Sequence, residues 1–192
     1  EDEVVFHQEM YIQELMPLKI KRAKNELLSN EEVSQLRSLI GQLAWVSNQT
    51  RPDIAFDVCQ LSVNVNNATG VDVLRANKCV RKLKNDNVSI KFPNLGDLTK
   101  AKLVVYADSS FKNLPGGASQ GGHIIFMQGE NGNFAPLAWK SRKLKRVVKS
   151  TLAAETLALM AGVESSFLFN TLFQELLGVS ETLPIIAKTD CN

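Results

Sequence analysis

The stretch LVVYADSS, from Leu103 to Ser110, decides the fold of the second half of the chain. Its first four residues form an apolar run with β-branched and aromatic side chains, which is typical of a buried strand. Ala107, Asp108 and two serines follow, so the run ends on a carboxylate among small residues. This pattern predicts a strand that carries Asp108 at its end.

Two further strands are predicted directly downstream of this run. One apolar segment extends from about Gly122 to Met127, and Phe134–Trp139 has the same character. Between them, the sequence Glu130-Asn131-Gly132-Asn133 contains the Asn-Gly pair that tight hairpin turns favour. The three strands follow one another closely, so we expect an antiparallel meander.

The rest of this half predicts two helices and a fourth strand. Leu152–Val163 is rich in Ala and Leu, and Phe167–Leu177 continues the helical pattern after a break near Gly162 or Ser165-Ser166. Leu183–Thr189 has the composition of a strand. The resulting order, βββααβ, favours an α/β fold with a mixed sheet in which the last strand is parallel to the first.

The first half of the chain is predicted to be helical. Ser29 and Glu32 form a capping-box sequence, and apolar residues follow at helical spacing. Pro52 ends this helix and suits the first turn of the next. We therefore assign residues 1–92 to a mainly helical region, the Pro-, Gly- and Asn-containing residues 93–100 to a linker, and residues 101–192 to an α/β domain.

The overall composition excludes several classes of protein. Hydrophobic residues make up 44% and charged residues 22% of the 192 positions, as in ordinary globular chains and unlike disordered ones. Uninterrupted apolar runs are only a few residues long, so we expect no membrane-spanning segment. Three well-separated cysteines argue against a disulfide framework or a zinc site and fit an intracellular, reducing compartment.

Three carboxylates have matching predicted positions. Asp108 and Asp190 each end a strand, and Glu155 lies in the first turns of a helix. Parallel pairing of the first and fourth strands would bring both aspartates to one end of the sheet, close to Glu155. Clustered carboxylates repel one another without a cation, and oxygen ligands suit Mg²⁺ or Mn²⁺. The pattern suggests metal-assisted phosphodiester cleavage; the alternative is three solvated carboxylates at a sheet edge.

Basic residues are concentrated in two clusters, although the net charge is only +2. The first cluster, which we call the basic run, comprises Lys140, Arg142, Lys143, Lys145, Arg146 and Lys149. The second comprises Arg75, Lys78, Arg81, Lys82 and Lys84. Either cluster alone could be a solvated face, but two dense clusters in a nearly neutral chain favour a polyanionic partner such as a nucleic acid.

Five short segments of the second half follow one another in a characteristic order. They are Leu103–Phe111 (LVVYADSSF), Ser119–Phe126 (SQGGHIIF), Ala138–Lys143 (AWKSRK), Ser150–Leu157 (STLAAETL) and Lys188–Asn192 (KTDCN). This order resembles the ribonuclease H domain of copia-type LTR retrotransposon polyproteins. Upstream, Arg37–Ser62 resembles the segment that joins reverse transcriptase to ribonuclease H, with Thr50–Ala55 (TRPDIA) as the most specific match, and Phe6–Ile12 resembles the end of the polymerase palm.

The resemblance implies an RNase H-like fold and hydrolysis of the RNA strand of RNA·DNA hybrids. It makes Asp108 the first metal-bridging carboxylate, Glu155 the helix carboxylate and Asp190 the third, with Mg²⁺ or Mn²⁺ as cofactor. It also implies an upstream reverse transcriptase palm and fingers as a partner, so this fragment is not expected to polymerise. We expect a cytoplasmic particle or the nucleus as its location, and no membrane partner.

The sequence departs from the family pattern at several positions. Ala153 stands where the family usually has an acidic residue, Gly117-Ala118 replace a basic one, and Cys191 replaces an asparagine. The family fold continues past the position of Asn192 with a helix, a strand and a further ligand, so we expect a C-terminally truncated fold. The alternatives to an active nuclease are a degenerate module that binds nucleic acid without cleaving it, and a structural or assembly role for the helical half.

Overall fold

The computed structural model describes residues 3–190, and Cys191 and Asn192 lie outside the described residues. The chain divides into two compact units: residues 6–90 form one, and residues 91–190 with residues 3–5 form the other. The short strands β1 (Val4–Phe6) and β2 (Ile90–Phe92) form a two-stranded sheet. The assignment of 1–92, 93–100 and 101–192 as helical region, linker and α/β domain stays a prediction.

The first unit is helical. Its helices are α1 (Glu9–Glu14), α2 (Asn30–Gln49), α3 (Ala55–Asn64) and α4 (Gly70–Asn85). The predicted capping box is present at α2, where Ser29 and Glu32 each bind the other's backbone N–H. Fully buried apolar side chains from α2 to α4, among them Leu36, Leu43 and Leu61, form the core of this unit.

A buried arginine explains much of the TRPDIA segment. The Arg51 side chain is only 1% exposed; it pairs with Asp53 at 2.8 Å and donates hydrogen bonds to the carbonyls of Leu83 and Asp86 near the end of α4. Burial disfavours the ionised form of Asp53, but hydrogen bonds from Arg51 and Lys82 outweigh it and lower the pKa of Asp53 to about 2. Arg51 therefore joins the turn before α3 to the end of α4.

The second unit contains a four-stranded mixed sheet. Its elements are β3 (Lys102–Leu114), β4 (Ala118–Gln128), β5 (Phe134–Lys143), helix α5 (Thr151–Leu177) and β6 (Ile185–Lys188). The strand order is β5-β4-β3-β6; β4 is antiparallel to both neighbours, and β6 is parallel to β3. The predicted α/β class with a mixed sheet is confirmed, and the arrangement is consistent with an RNase H-like fold.

The predicted break between two helices is wrong, because α5 is one helix of 27 residues. The hydroxyls of Ser165 and Ser166 donate to the carbonyls four residues earlier, so both serines fit within the helix. A Cβ at Gly162 would lie 2.6 Å from Val105 Cγ1. This glycine therefore marks the close approach of α5 to β3, and the observed order is βββαβ.

The length of α5 also bears on the expectation that no segment could span a membrane. The helix reaches a mean hydropathy of 1.4 and is long enough to cross a bilayer. By the criteria of length and composition, the expectation of no such segment is therefore wrong. Single polar residues interrupt its apolar runs without breaking the helix. However, α5 carries the buried polar residues Glu155, Ser166 and Asn170. Core helices of folded domains meet the same criteria, so this is weak evidence for a membrane.

A side-chain clamp fixes the segment that leads into β6. The buried Asn170 amide donates to the carbonyl of Leu183 at 3.0 Å and accepts from the N–H of the same residue at 2.8 Å. The asparagine thus satisfies both backbone groups of Leu183, as a neighbouring strand would. The clamp ties α5 to the start of β6 and so helps to position the residues that follow β6.

Candidate metal centre

The structure brings the three predicted carboxylates together. One carboxylate oxygen from each of Asp108, Glu155 and Asp190 lies within 4.8 Å of the others. Tyr106 is paired with Lys188 in the parallel β3–β6 register. Asp108 lies two residues after Tyr106 within β3, and Asp190 lies two residues after Lys188, just beyond the end of β6. Glu155 reaches them from the second turn of α5, which begins after its N-cap Ser150.

The position of Asp108 differs from the expectation in one respect. Asp108 does not end its strand, because β3 continues to Leu114 and pairs with β4 through Ser110. On the other side of β3, however, β6 ends at Lys188. The end of β6 therefore leaves the Asp108 side chain exposed at this point, although the strand that carries it continues.

The two oxygens of Glu155 have different surroundings. Its Oε1 accepts hydrogen bonds from the Ser109 hydroxyl at 2.6 Å and from the Ser109 backbone N–H at 3.1 Å. Its Oε2 is buried and has no hydrogen-bond partner among the described residues. A buried acceptor without a partner costs free energy. This oxygen, in a residue only 7% exposed, is therefore a natural ligand for a cation.

The cluster carries uncompensated negative charge. Among residues 3–190, no lysine, arginine or histidine forms an ion pair with Asp108, Glu155 or Asp190. Three carboxylates at this spacing repel one another, and a divalent cation would relieve the repulsion. Oxygen-only ligand sets favour Mg²⁺, Mn²⁺ or Ca²⁺ over softer metals.

The basic run lies at the edge of the sheet opposite β6. Lys140, Arg142 and Lys143 belong to β5, and Lys145, Arg146 and Lys149 lie in the connection to α5. All except the half-buried Arg142 are exposed. Arg142 pairs with Gly121, which pairs with Ser109, so Arg142 is two strands from the carboxylate cluster. At the usual strand spacing, its backbone is about 10 Å from that of Ser109.

A surface cavity accompanies the basic run. It has a volume of about 220 Å³, and Arg142, Lys145 and Arg146 line it together with Glu164 and apolar residues of α5. The second basic cluster, on α4, is partly engaged within its own unit. Lys82 pairs with Asp53 at 2.9 Å, and the Lys84 ammonium donates to the Gln13 carbonyl. The basic run is therefore the better candidate for a polyanion.

Ser109 is the residue of the site that sequence reasoning missed. The Ser109 hydroxyl donates to Glu155, which is carried by α5. The position directly after a strand carboxylate was the available signal, but only the fold shows that Glu155 lies beside it.

His123 has the features of a packing residue. Burial lowers its pKa, and the nearby charges of Arg142 and Lys140 lower it further, which favours the neutral ring. The His123 side chain also lies beside α5, because a Cβ at Gly162 would come within 3.1 Å of it. These contacts place His123 in the packing between β4 and α5.

Comparison with known proteins gives one informative similarity. No protein-family model matches the chain. A protein of Saccharomyces cerevisiae (strain ATCC 204508 / S288c), described as a transposon Ty5-1 protein, is 30% identical over 122 residues. The matched region covers 62% of this chain and 36% of the yeast protein, so the chain spans about a third of that relative's length. The chain is therefore similar to part of a transposon protein.

Proposed function

We propose that this chain is the ribonuclease H domain of a copia-type retrotransposon reverse transcriptase, preceded by the connection to the polymerase. Its activity would be metal-dependent hydrolysis of the RNA strand of RNA·DNA hybrids. The observation that carries the proposal is the convergence of Asp108, Glu155 and Asp190 within 4.8 Å, with the buried Glu155 Oε2 left without a partner among the described residues. The similarity to a transposon protein supports the same origin.

The residues present fit Mg²⁺ or Mn²⁺. All three candidate ligands are carboxylates, which these hard cations prefer, and the unpartnered Glu155 Oε2 provides a buried acceptor for one. Asp108, Glu155 and Asp190 would hold the metal. Bound ions of this kind lower the pKa of water and stabilise charge on a phosphate that is being cleaved. The exposed Asp108 and Asp190 would leave room for a phosphate on the solvent side.

The other residues of the unit would bind and orient the substrate. The basic run supplies exposed cations about two strand spacings from the carboxylates, so it can hold backbone phosphates while another phosphate lies at the cluster. Such contacts carry no base-specific information. The proposal therefore includes cleavage with little sequence preference, and in the intact polyprotein the palm and fingers would be the neighbouring partner.

A cleavage assay tests the proposal. The chain should cut the RNA strand of a labelled RNA·DNA hybrid in the presence of Mg²⁺ or Mn²⁺, and leave single-stranded RNA and duplex DNA intact. Asp108→Asn should abolish cleavage, and Glu175→Gln, an exposed position on the same helix as Glu155, should not. Cleavage that persists in Asp108→Asn, or that needs no metal, would contradict the proposal.

A degenerate binding module is the second candidate function, which Ala153 favours because an acidic residue is usual at that position in the family. In that case the wild-type chain should bind the hybrid and Mn²⁺ without cutting the RNA. Mn²⁺ binding can be followed by electron paramagnetic resonance. Retained binding with no cleavage under any metal would select this candidate over the nuclease.

The salt dependence of hybrid binding tests the basic run separately. Replacing both Arg142 and Lys143 by alanine should reduce the slope of log affinity against log salt by about 1–2 units, because each phosphate contact contributes about 0.7–0.9. The matched control is the double alanine variant of Lys78 and Arg81, two exposed or partly exposed basic residues of α4. An unchanged slope for the first variant would identify the basic run as a solvated face.

A further inference from the structure

Among the described residues, Ser109 hydrogen-bonds both Asp108 and Glu155. Its backbone N–H lies 2.7 Å from Asp108 Oδ1 and 3.1 Å from Glu155 Oε1, and its hydroxyl lies 2.6 Å from the same Glu155 oxygen. Ser109 itself is half-buried. The side chain and backbone of one residue thus fix one oxygen of each carboxylate.

These bonds leave Glu155 with one free oxygen. A carboxylate oxygen has about two acceptor sites, and both sites of Oε1 are used by Ser109. A hydroxyl–carboxylate hydrogen bond of 2.6 Å is short and charge-assisted, so it is among the stronger bonds in proteins. Glu155 is only 7% exposed, which restricts rotation of the carboxyl group. Of the two Glu155 oxygens, only Oε2 is therefore left without a partner among the described residues.

Coordination by one oxygen suits some cations better than others. Mg²⁺ demands near-octahedral geometry with six ligands and is commonly bound by single carboxylate oxygens and waters. Ca²⁺ takes six to eight oxygens and often uses both oxygens of one carboxylate. When the second oxygen of a carboxylate is already hydrogen-bonded, it does not bind the cation. Ca²⁺ then lacks a ligand that it would use, whereas Mg²⁺ does not need that ligand.

We infer that Ser109 is a positioning residue that makes Glu155 a one-oxygen ligand and thereby favours Mg²⁺ or Mn²⁺ over Ca²⁺ at the carboxylate cluster. The inference rests on the proposed function, since it assumes that the cluster binds a divalent cation. It extends that proposal by assigning metal selectivity to a serine that contributes no ligand. We assign the metal selectivity to the Ser109 hydroxyl. Ser109→Ala removes this hydroxyl but keeps the backbone N–H, so it frees one acceptor site of Glu155 Oε1.

Competition between metals tests this role without an activity assay. Mn²⁺ binding to the wild-type chain is measured by electron paramagnetic resonance, and Ca²⁺ is titrated in to displace it. Ser109→Ala should raise the Ca²⁺ to Mn²⁺ affinity ratio about tenfold, the equivalent of one hydrogen bond to a charged group. Ser109→Thr, which keeps the hydroxyl, should restore the wild-type ratio. Ser110→Ala is the matched control on the next residue and should also leave it unchanged.

Each result of this titration decides one of the two proposals. If Ser109→Ala still binds Mn²⁺ and its Ca²⁺ to Mn²⁺ affinity ratio is within about twofold of wild type, the role of Ser109 is refuted, but the metal site is not. A Ser109→Thr ratio equal to that of Ser109→Ala would refute the role of Ser109 in the same way. If Ser109→Ala does not fold by circular dichroism, Ser109→Gly removes the same hydroxyl and carries the same expectation. Failure of the folded wild-type chain to bind Mn²⁺ would instead overturn the metal-dependent function, and this inference with it.

Discussion

Replacing Asn170 by alanine is expected to destabilise the sheet unit by about 2–6 kcal/mol. Asn170 satisfies both backbone groups of the buried Leu183, and the two bonds are 3.0 and 2.8 Å long. Alanine leaves the Leu183 N–H and carbonyl without this partner, and each buried unpaired group costs about 1–3 kcal/mol. Water that enters the space left by the amide would bring the loss toward the lower end of this range.

Urea denaturation with a fluorescence reporter in the sheet measures this loss. The chain has two tryptophans, Trp45 in α2 and Trp139 in β5, so a Trp45→Phe background leaves a signal from the sheet unit alone. The matched control is Gln174→Ala, four residues further along α5. It removes one exposed hydrogen bond, to the Ser180 carbonyl, and should cost less than about 1 kcal/mol.

Hydrogen exchange then identifies the cause of the loss. In Asn170→Ala, the Leu183 amide should lose protection before the amides of the β3–β4 pairing do, because the variant removes its acceptor. Equal unfolding free energies for the Asn170→Ala and Gln174→Ala variants would refute the argument. Wild-type exchange at Leu183 in the alanine variant would refute it independently.

Four other substitutions have expected outcomes of different sign. Arg51→Met should destabilise the helical unit by about 3–5 kcal/mol in urea denaturation, because it leaves Asp53 and two carbonyls without their buried partner. The fold lowers the pKa of Asp53 from 3.8 to about 2, so the ionised carboxylate stabilises the folded state above pH 4. This contribution is lost as the pH falls from 4 to 2. Asp53→Asn should therefore reduce the dependence of the unfolding free energy on pH in this range. Gly162→Ala should lower the free energy of unfolding of the sheet unit by about 1–2 kcal/mol, since its Cβ would lie 2.6 Å from Val105 Cγ1. Gly41→Ala, where nothing lies within 4 Å, should instead stabilise α2 by about 0.5–1 kcal/mol, and a loss of stability there would contradict the helix-propensity argument.

Sequence alone could predict the elements that depend on local pattern. The strand run before Asp108 and the capping box at Ser29 are short-range signals, and both correspond to observed features. The parallel addition of the last strand followed from the general handedness and connection rules of α/β folds. The convergence of Asp108 with Asp190 then followed from the parallel pairing, because residues at matching positions of parallel neighbours lie side by side.

Features that depend on tertiary contact could not be predicted in this way. Gly162 resembles a helix breaker in sequence, but its lack of a side chain serves the packing of α5 on Val105. Arginine is usually a surface residue, so the sequence gives no reason to expect Arg51 to be buried. The acceptors that allow its burial are brought together only by the fold. The Ser109–Glu155 bond joins positions 46 residues apart, so no local pattern contains it.

The distribution of the three carboxylates along the chain has a mechanical consequence. Asp108 and Asp190 are separated by about 80 residues that include β4, β5 and α5, so a cation held by both would act as a removable cross-link. Closing a loop of this length restricts the unfolded chain, and a covalent link of the same span would contribute about 4 kcal/mol. The residues between β6 and Asp190 should therefore resist proteolysis when Mn²⁺ is bound and become susceptible when a chelator removes it, so their cleavage would report metal occupancy.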